Sequence, residues 1–418
     1  MRFCLRLCTL FLLPLLTFPA LSVRQSRRAA GGSPGFSAVL SPTLCGEQTK
    51  ELPRTLSAPR QSPPATSAAS MALFDPADGL FLSEHDADAR RPMASTTKIM
   101  TALLALESER LDEPVTVTDA MTRTEGSSIY LKPGDRLTLR SLVVGLMLES
   151  GNDAALAIAI TLDGSEAAFV ARMNRRAAEL GMTGTHFVTA SGLDDDAHYT
   201  TARDMALLGC AAMESPEFVS IVSRQTMTVD FLSPAVRRTF YNHNRLLREM
   251  DGCIGIKTGF TKKSGRCLVS CCERDGVRMV AATLNAPDDW NDHKQLMRRA
   301  FAMVEPVLLT GDGLNVQVPV VGGATESTTL TAAGSVRAAI PSGRSDAIEM
   351  RIESEPFLYA PVSPGRVAGR VSYWLDGECV GELPLMTSAE ISYVRRTRTI
   401  WEQVVDFWTR LFGFRSAE

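Results

Sequence analysis

The sequence predicts an α+β fold followed by a small all-β domain, and three observations carry that reading. Strand-like apolar runs lie near residues 69–86 and again near 265–286. A block of apolar helical segments fills the stretch between them. Past Thr310 the chain changes to short alternating strands punctuated by Gly and Pro. An antiparallel sheet assembled from the two ends, with a helical lobe inserted between them, accommodates the first two observations. A separate β-rich unit accommodates the third.

Taken in order, "MRFCLR" is a basic start, and the apolar run after it is broken by Pro14 and Pro19. Ala20-Leu21-Ser22 supplies small residues for cleavage. A spanning helix needs roughly 18–20 uninterrupted apolar residues, so residues 1–23 read as a secretory signal peptide. Residues 24–66 are rich in Ser, Pro, Ala, Gly and Arg and read as a disordered linker. The globular region, 67–310, opens with a hairpin turning at Asp75-Pro76-Ala77-Asp78-Gly79. Next come an apolar helix from Ile99, two helices joined by Ser150-Gly151, and a third ending at Gly181. "GRCLVSCC" and "VRMVAATLNA", linked by "ERDG", form a second hairpin. Residues 311–394 carry the all-β domain.

Composition narrows the function. The chain has 418 residues, 45% of them hydrophobic, enough for more than one core. A net charge of −3 supplies no basic field for nucleic acid. The five histidines form no H-x-H or H-E-x-x-H pair, so neither a metal nor another cofactor is expected. Seven cysteines lie beyond the signal, without C-x-x-C pairs. Most read as small buried apolar residues, with a bridge among Cys253, Cys267 and their neighbours left open.

Three short motifs carry chemistry. In Ser95-Thr96-Thr97-Lys98, positions i and i+3 share a helix face, so the hydroxyl and the amine meet. The apolar run from Ile99 lowers the lysine pKa and makes it a base for the serine. Helix-terminal N–H groups suit a developing oxyanion. Ser150-Gly151-Asn152 places a hydroxyl and an amide in a loop between apolar helices; the alternative is plain helix capping by Asn152 or Asp153. Lys257-Thr258-Gly259 offers a cation, a hydroxyl and close backbone approach to an extended substrate ending in a carboxylate.

Each motif occurs once. The spacing, 55 residues from Ser95 to Ser150 and 107 from Ser150 to Lys257, follows the order S-x-x-K, S-x-N, K-T-G of penicillin-interacting serine enzymes. From about Ala68 to Tyr393 the chain resembles the low-molecular-mass penicillin-binding proteins, specifically serine-type D-alanyl-D-alanine carboxypeptidases. "ASTTKIMTALLALE", "SGNDAALAIA", "THFVTASGLDDDAHYTTARDMALL" and "GIKTGFTKKSGRCLVS" carry the likeness, and "APVSPGRVAGRVSYWLDGE" is similar to their accessory C-terminal domain.

The resemblance implies a beta-lactamase/transpeptidase-like fold and a residue-by-residue set of roles. Ser95 attacks the carbonyl between the terminal D-alanines of a peptidoglycan stem peptide, with Lys98 as general base. Ser150 passes the proton to the leaving D-alanine, held by Asn152 and Lys257. Thr258 binds the terminal carboxylate, and Gly259 leaves room for the backbone. The N–H groups of Ser95 and Phe260 form the oxyanion hole. Beta-lactams mimic the scissile amide and trap Ser95. Relatives place an arginine about thirty residues beyond K-T-G, where this chain reads Asp288-Asp289-Trp290-Asn291-Asp292; carboxylate binding then falls to Thr258 and Lys257. Relatives also often carry asparagine where Thr189 stands.

A beta-lactamase is disfavoured, since no E-x-x-x-N segment lies between Asn152 and Lys257. A D,D-endopeptidase and a beta-lactam-binding sensor of the same fold are the alternatives. Residues 395–418 complete the reading. Arg398, Glu402, Asp406 and Arg410 form a polar stripe opposite Ile400, Trp401, Val404, Val405, Trp408, Leu411 and Phe412. Such an amphipathic helix suits a membrane interface. The expected location is therefore outside the cell, peripheral to the outer face of the cytoplasmic membrane or in the wall.

Overall fold

The computed structural model describes residues 65–395 except residue 78, together with Gln25–Ser26 and residues 400, 401, 404, 405, 407 and 408. The expected signal peptide and nearly all of the expected linker lie outside these residues. The chain divides into two compact units. The described part of the larger unit comprises residues 65–307 and 337–346, and the smaller holds most of the rest.

In the larger unit, Ser70–Asp75 (β1) and Leu80–His85 (β2) form the opening hairpin. A single 3-10 turn, Ala94–Thr97, leads directly into Lys98–Glu107 (α1). Pro114–Thr116 (β3) and Arg136–Thr138 (β4) precede Leu139–Leu148 (α2), Asn152–Asp163 (α3) and Glu166–Glu179 (α4). Ala202–Met213 (α5) and Pro216–Val222 (α6) are followed by the ribbon Thr226–Ser233 (β5) and Ala235–Tyr241 (β6). Leu246–Glu249 (α7) precedes Cys253–Thr261 (β7), Gly265–Arg274 (β8), Val277–Leu284 (β9) and Asp289–Met303 (α8).

The sheet order β2-β1-β9-β8-β7, antiparallel throughout, brings the two ends of the unit together as the sequence pattern requires. Successive strand residues point to opposite faces. Ala72, Phe74, Val280 and Ala282 join the large core shared with α1, α2, α3 and α5, while Met71, Leu73, Met279 and Ala281 join a second core with Leu296, Met297 and Ala300 of α8. Because both faces are covered, β1 is buried along its whole length. Residue Ala339 enters the second core, so the stretch 337–346 belongs to the larger unit rather than to the β-rich one.

The smaller unit is all-β. Its sheet runs Glu349–Ser354, Val367–Leu375, Glu378–Thr387, Ser327–Ala332 and Asn315–Val321 in spatial order, with antiparallel neighbours. Cys210, Cys253, Cys267, Cys271 and Cys272 are free thiols, and Cys253 of β7 faces Cys272 of β8 in register. Among the described residues no single helix is long and apolar enough to cross a membrane.

Candidate active site

Ser95, the expected nucleophile, does not sit in the α-helix itself. Ser95 lies in the 3-10 turn, one turn before α1 begins at Lys98. With three residues per turn, positions i and i+3 eclipse, so Ser95 and Lys98 align more directly than in an α-helix. Ser95 is half-buried and Lys98 fully buried. Ala94, just before the serine, takes φ +49°, a conformation that costs a non-glycine residue on the order of 1–3 kcal/mol.

Lys98 is held from three sides. Its Nζ donates to Asn152 Oδ1 at 2.7 Å and to the Ser191 carbonyl at 2.6 Å, and it lies 2.9 Å from Ser95 Oγ. The orientation of the Asn152 amide follows from its other bond, Nδ2 to the Glu125 carbonyl at 2.6 Å. Burial holds the Lys98 ammonium well below its ordinary pKa. The nearby Lys257 charge acts in the same direction and Asp153 opposes both. A neutral amine has two N–H donors and one lone pair. Two pure acceptors take the donors, which leaves the lone pair for the Ser95 hydroxyl.

Ser150 and Asn152 flank Gly151 in the α2–α3 connection. Ser150 takes φ +61°, and its Oγ is buried with no hydrogen-bond partner among the described residues. A buried hydroxyl left unpaired costs about 1–3 kcal/mol, so strain and an unmet polar group coincide at one residue. Capping alone does not explain the strain at Ser150. Gly151 is the N-cap of α3 and no side chain caps it. The Asp153 carboxylate accepts the Ala154 N–H in the first turn and also bonds Ile129 N, Leu131 N and Ser128 Oγ, pinning the 128–131 loop beside the site.

Lys257, Thr258, Gly259 and Phe260 lie on β7, the edge strand of the sheet. A Cβ on Gly259 would lie 3.1 Å from the Ser95 nitrogen and 3.0 Å from the Met93 carbonyl, so the glycine lets the strand press against the nucleophile's turn. Lys257 is buried and burial alone brings its ammonium down to about 7; its Nζ donates to the Thr258 carbonyl at 2.9 Å. Thr258 is half-buried and Phe260 exposed. The unpaired edge of a strand is a template for an extended peptide. Ser95, Lys98, Asn152 and Gly259 thus meet directly, whereas among the described residues Ser150 and Lys257 make no hydrogen bond to the other site side chains. Asp289 and Asp292, in the stretch lacking the relatives' arginine, pair with Arg266 and Ser67 instead.

Sequence reasoning missed three contributors. His198 Nδ1 accepts the Val188 N–H, which places the ring proton on Nε2. Nε2 lies 2.8 Å from Thr97 Oγ1, and that hydroxyl donates to the Ala94 carbonyl at 2.8 Å. This chain ties down the strained residue before the nucleophile. Gly192, at φ +88°, closes the other side: a Cβ there would come within 2.0 Å of the Ala94 oxygen. His243 lies 3.4 Å from Glu149, and burial together with the Lys257 charge lowers its pKa. No local spacing signals any of them, because each acts across a long sequence separation.

The sequence profile of the D-alanyl-D-alanine carboxypeptidase family matches residues 57–288, more than half of the chain. The chain belongs to the D-alanyl-D-alanine carboxypeptidase family. The profile of the penicillin-binding protein 5 C-terminal domain matches residues 305–393. The D-alanyl-D-alanine carboxypeptidase DacC of Escherichia coli (strain K12) is 31% identical over 93% of this chain and 97% of its own length. DacA of the same organism is 34% identical over 78% of this chain and 84% of its own length. Among solved structures, penicillin binding protein 5 from Haemophilus influenzae is 28% identical, covers 79% of this chain and 99% of its own, and superposes with a TM-score of 0.57. The carboxypeptidase DacD from Francisella tularensis is 25% identical over 84% of this chain and 97% of its own, with a TM-score of 0.56. The α+β fold and all-β C-terminal region expected from the sequence are those of this family.

Proposed function

We propose that the protein is a serine D,D-carboxypeptidase that removes the terminal D-alanine from peptidoglycan stem pentapeptides through an acyl-enzyme on Ser95. The observation that carries this reading is the bonding of Lys98, whose buried Nζ lies within hydrogen-bond distance of Ser95 Oγ, Asn152 Oδ1 and the Ser191 carbonyl at once.

The substrate adds along β7, with its terminal carboxylate at Thr258 and Lys257. Lys98 takes the hydroxyl proton as Ser95 Oγ attacks the carbonyl between the two D-alanines. The N–H groups of Ser95 and Phe260 receive the oxyanion, each donor worth about 3–4 kcal/mol at the barrier. Ser150 relays a proton to the leaving amine, the C–N bond breaks and D-alanine departs. Water then attacks the ester, with Lys98 again as base, and restores the hydroxyl. A beta-lactam opens its ring by the same attack and leaves a persistent ester. Incubation of a pentapeptide with wild-type protein releases D-alanine, and Ser95→Ala neither releases it nor takes up a fluorescent penicillin. Acylation without release of D-alanine identifies a sensor instead.

The family acts on peptidoglycan, which places the protein in the cell envelope. The finer location rests on the tail. Its described residues Ile400, Trp401, Val405, Phe407 and Trp408 are helical and exposed, Trp401 to 76%. Aromatic side chains on such a helix favour the headgroup boundary, so the tail lies on the outer face of the cytoplasmic membrane. Protein truncated after Tyr393 stays in the supernatant when membranes are pelleted; equal pelleting of both forms overturns this.

A further inference from the structure

β7 carries Lys257, Thr258 and Gly259, and as an edge strand it is joined to the sheet through β8 alone. At its first residue, Cys253 stands opposite Cys272 of β8. The backbone bonds around this pair define its geometry. The Glu273 N–H donates to the Gly252 carbonyl at 2.8 Å, whereas the Cys253 N–H turns back to the Met250 carbonyl at 3.2 Å. That pattern flanks a non-hydrogen-bonded antiparallel pair, in which the Cα atoms stand about 4.5 Å apart. Disulfides span Cα separations of about 4.4–6.8 Å, so the backbone already holds the two cysteines at bridging distance.

The sheet also selects the partner, because successive residues of β8 face opposite ways. Cys272 is fully buried in the core shared with α8, and Cys253 packs against that same core. Cys267 and Cys271 belong to the large core on the opposite face, against which Cys210 packs. The facing thiols are chemically unequal. Hydrogen bonding from the Cys272 thiol holds Cys253 below the ordinary thiol range against the effect of burial, and the same bond together with burial pushes Cys272 up. Asn244, buried just before α7, acts on the same sulfur. Its Oδ1 is fixed by the Leu246 N–H at 3.1 Å, and its Nδ2 has no hydrogen-bond partner among the described residues. That amide dipole favours a Cys253 thiolate. Cys253 is also the half-buried member of the pair, so a reagent reaches it first.

We propose that Cys253 and Cys272 form a site of reversible oxidation, closed into a cross-strand disulfide by exchange with a low-molecular-mass disulfide. Cys253 gives its proton to solvent, and its thiolate attacks one sulfur of the reagent. The reagent's S–S bond breaks, the expelled thiolate takes up a proton, and a mixed disulfide remains on Cys253. Cys272 then loses its proton, attacks Cys253 Sγ and expels the second thiol. Two protein thiols are oxidised and one disulfide is reduced to two thiols; a dithiol reverses the exchange. The bond lost, from Cys253 Sγ to the Gly255 carbonyl at 3.4 Å, is a weak one. The bridge fastens the first residue of β7 to β8, on the strand that carries Lys257. The cell envelope is an oxidising setting in which such bridges persist.

The test treats the full mature protein with oxidised glutathione under native conditions. Remaining thiols are then blocked with N-ethylmaleimide in denaturant, and tryptic peptides are sequenced by mass spectrometry. Peptide 249–257 is expected joined to peptide 267–274, the pair lighter by two hydrogens than the reduced peptides together. Fragmentation places the link on Cys272 and the maleimide on Cys267 and Cys271. The melting temperature rises by about 5–10 °C, as closing a loop of this length provides, and falls back with dithiothreitol. Cys271→Ser retains the link, whereas Cys272→Ser loses it and leaves Cys253 joined to glutathione. Cys253→Ser, at the half-buried position, also loses the link and serves where Cys272→Ser does not fold. Maleimide on both Cys253 and Cys272 after oxidation overturns the proposal. So does a link to Cys267 or Cys271, or one that forms only in urea. A bridged protein with an unchanged melting temperature overturns the fastening of β7.

Discussion

Lys98 Nζ stands 2.9 Å from Ser95 Oγ, with its donors directed at Asn152 Oδ1 and the Ser191 carbonyl. Two acceptors that cannot donate, placed on an amine inside an apolar helix start, define where its lone pair points. In the proposed mechanism the base is therefore oriented as well as made available, and the loop carrying Asn152 takes part in activating Ser95.

Lys98→Arg separates charge from basicity. Guanidinium keeps a cation in place but does not deprotonate in proteins. The second-order rate of acylation by a fluorescent penicillin is expected to fall by about 10²–10⁴, the usual contribution of a general base. An acylation rate within a few-fold of wild type would mean that the lysine acts only through its charge.

The pH dependence follows from two lysines with opposite requirements. Lys98 works when neutral, and burial lowers its pKa, so acylation fails only as pH drops through that lowered value. Lys257, proposed to hold the carboxylate when charged, has its ammonium brought down to about 7 by burial. Because kcat/KM reports the free enzyme, it is expected to decline as pH rises past about 7. A bound carboxylate raises the Lys257 pKa, so the decline in kcat moves to higher pH. Parallel limbs for kcat/KM and kcat would remove Lys257 from carboxylate binding.

Gly192→Ala tests the support of the strained turn. Its new methyl would need the space of the Ala94 carbonyl. The φ of +88° adds strain of its own. Acylation is expected to slow by at least about tenfold, with a loss of stability on the order of 1–3 kcal/mol. Wild-type acylation in this variant would show that the turn tolerates displacement.

His198 makes stability depend on pH. Burial lowers its pKa from 6.5 to about 4, so between those values the unfolded chain binds more protons than the folded one. Its contribution is fully present above pH 6.5 and is lost as pH falls toward 4, a change on the order of 3 kcal/mol. His293, lowered to about 3 by burial, contributes with the same sign. Urea unfolding of His198→Gln is expected to show a shallower drop in stability between pH 6.5 and 4.5 than wild type. Identical slopes would contradict this account of the buried ring.

The meeting of Ser95 with Lys98 was legible in the sequence because the motif is local. Ser95 and Lys98 are three residues apart, as are Lys257 and Phe260, and helical or strand geometry turns such spacings into proximity. The α+β layout was legible for a similar reason, since β1 and β9 alternate in step with the two cores they serve. The 3-10 turn was not, because "ASTTK" reads as a helix start until Ala94 is forced to positive φ by its neighbours. His198 and Gly192 were invisible, for each acts through a partner brought near only by folding. The packing of Ala339 into the second core beside α8 was not legible either, because nothing in the alternation of 337–346 shows which core it joins.

The protonation state of Lys98 tests the central claim most directly. In the mature protein, the side-chain NMR signal of isotopically labelled Lys98, assigned by its loss in Lys98→Arg, is followed from pH 5 to 11. The account predicts that Lys98 is neutral at pH 8 and titrates well below the ordinary lysine value of 10.5. Titration at or above 10.5, with an ammonium at pH 8, would contradict it.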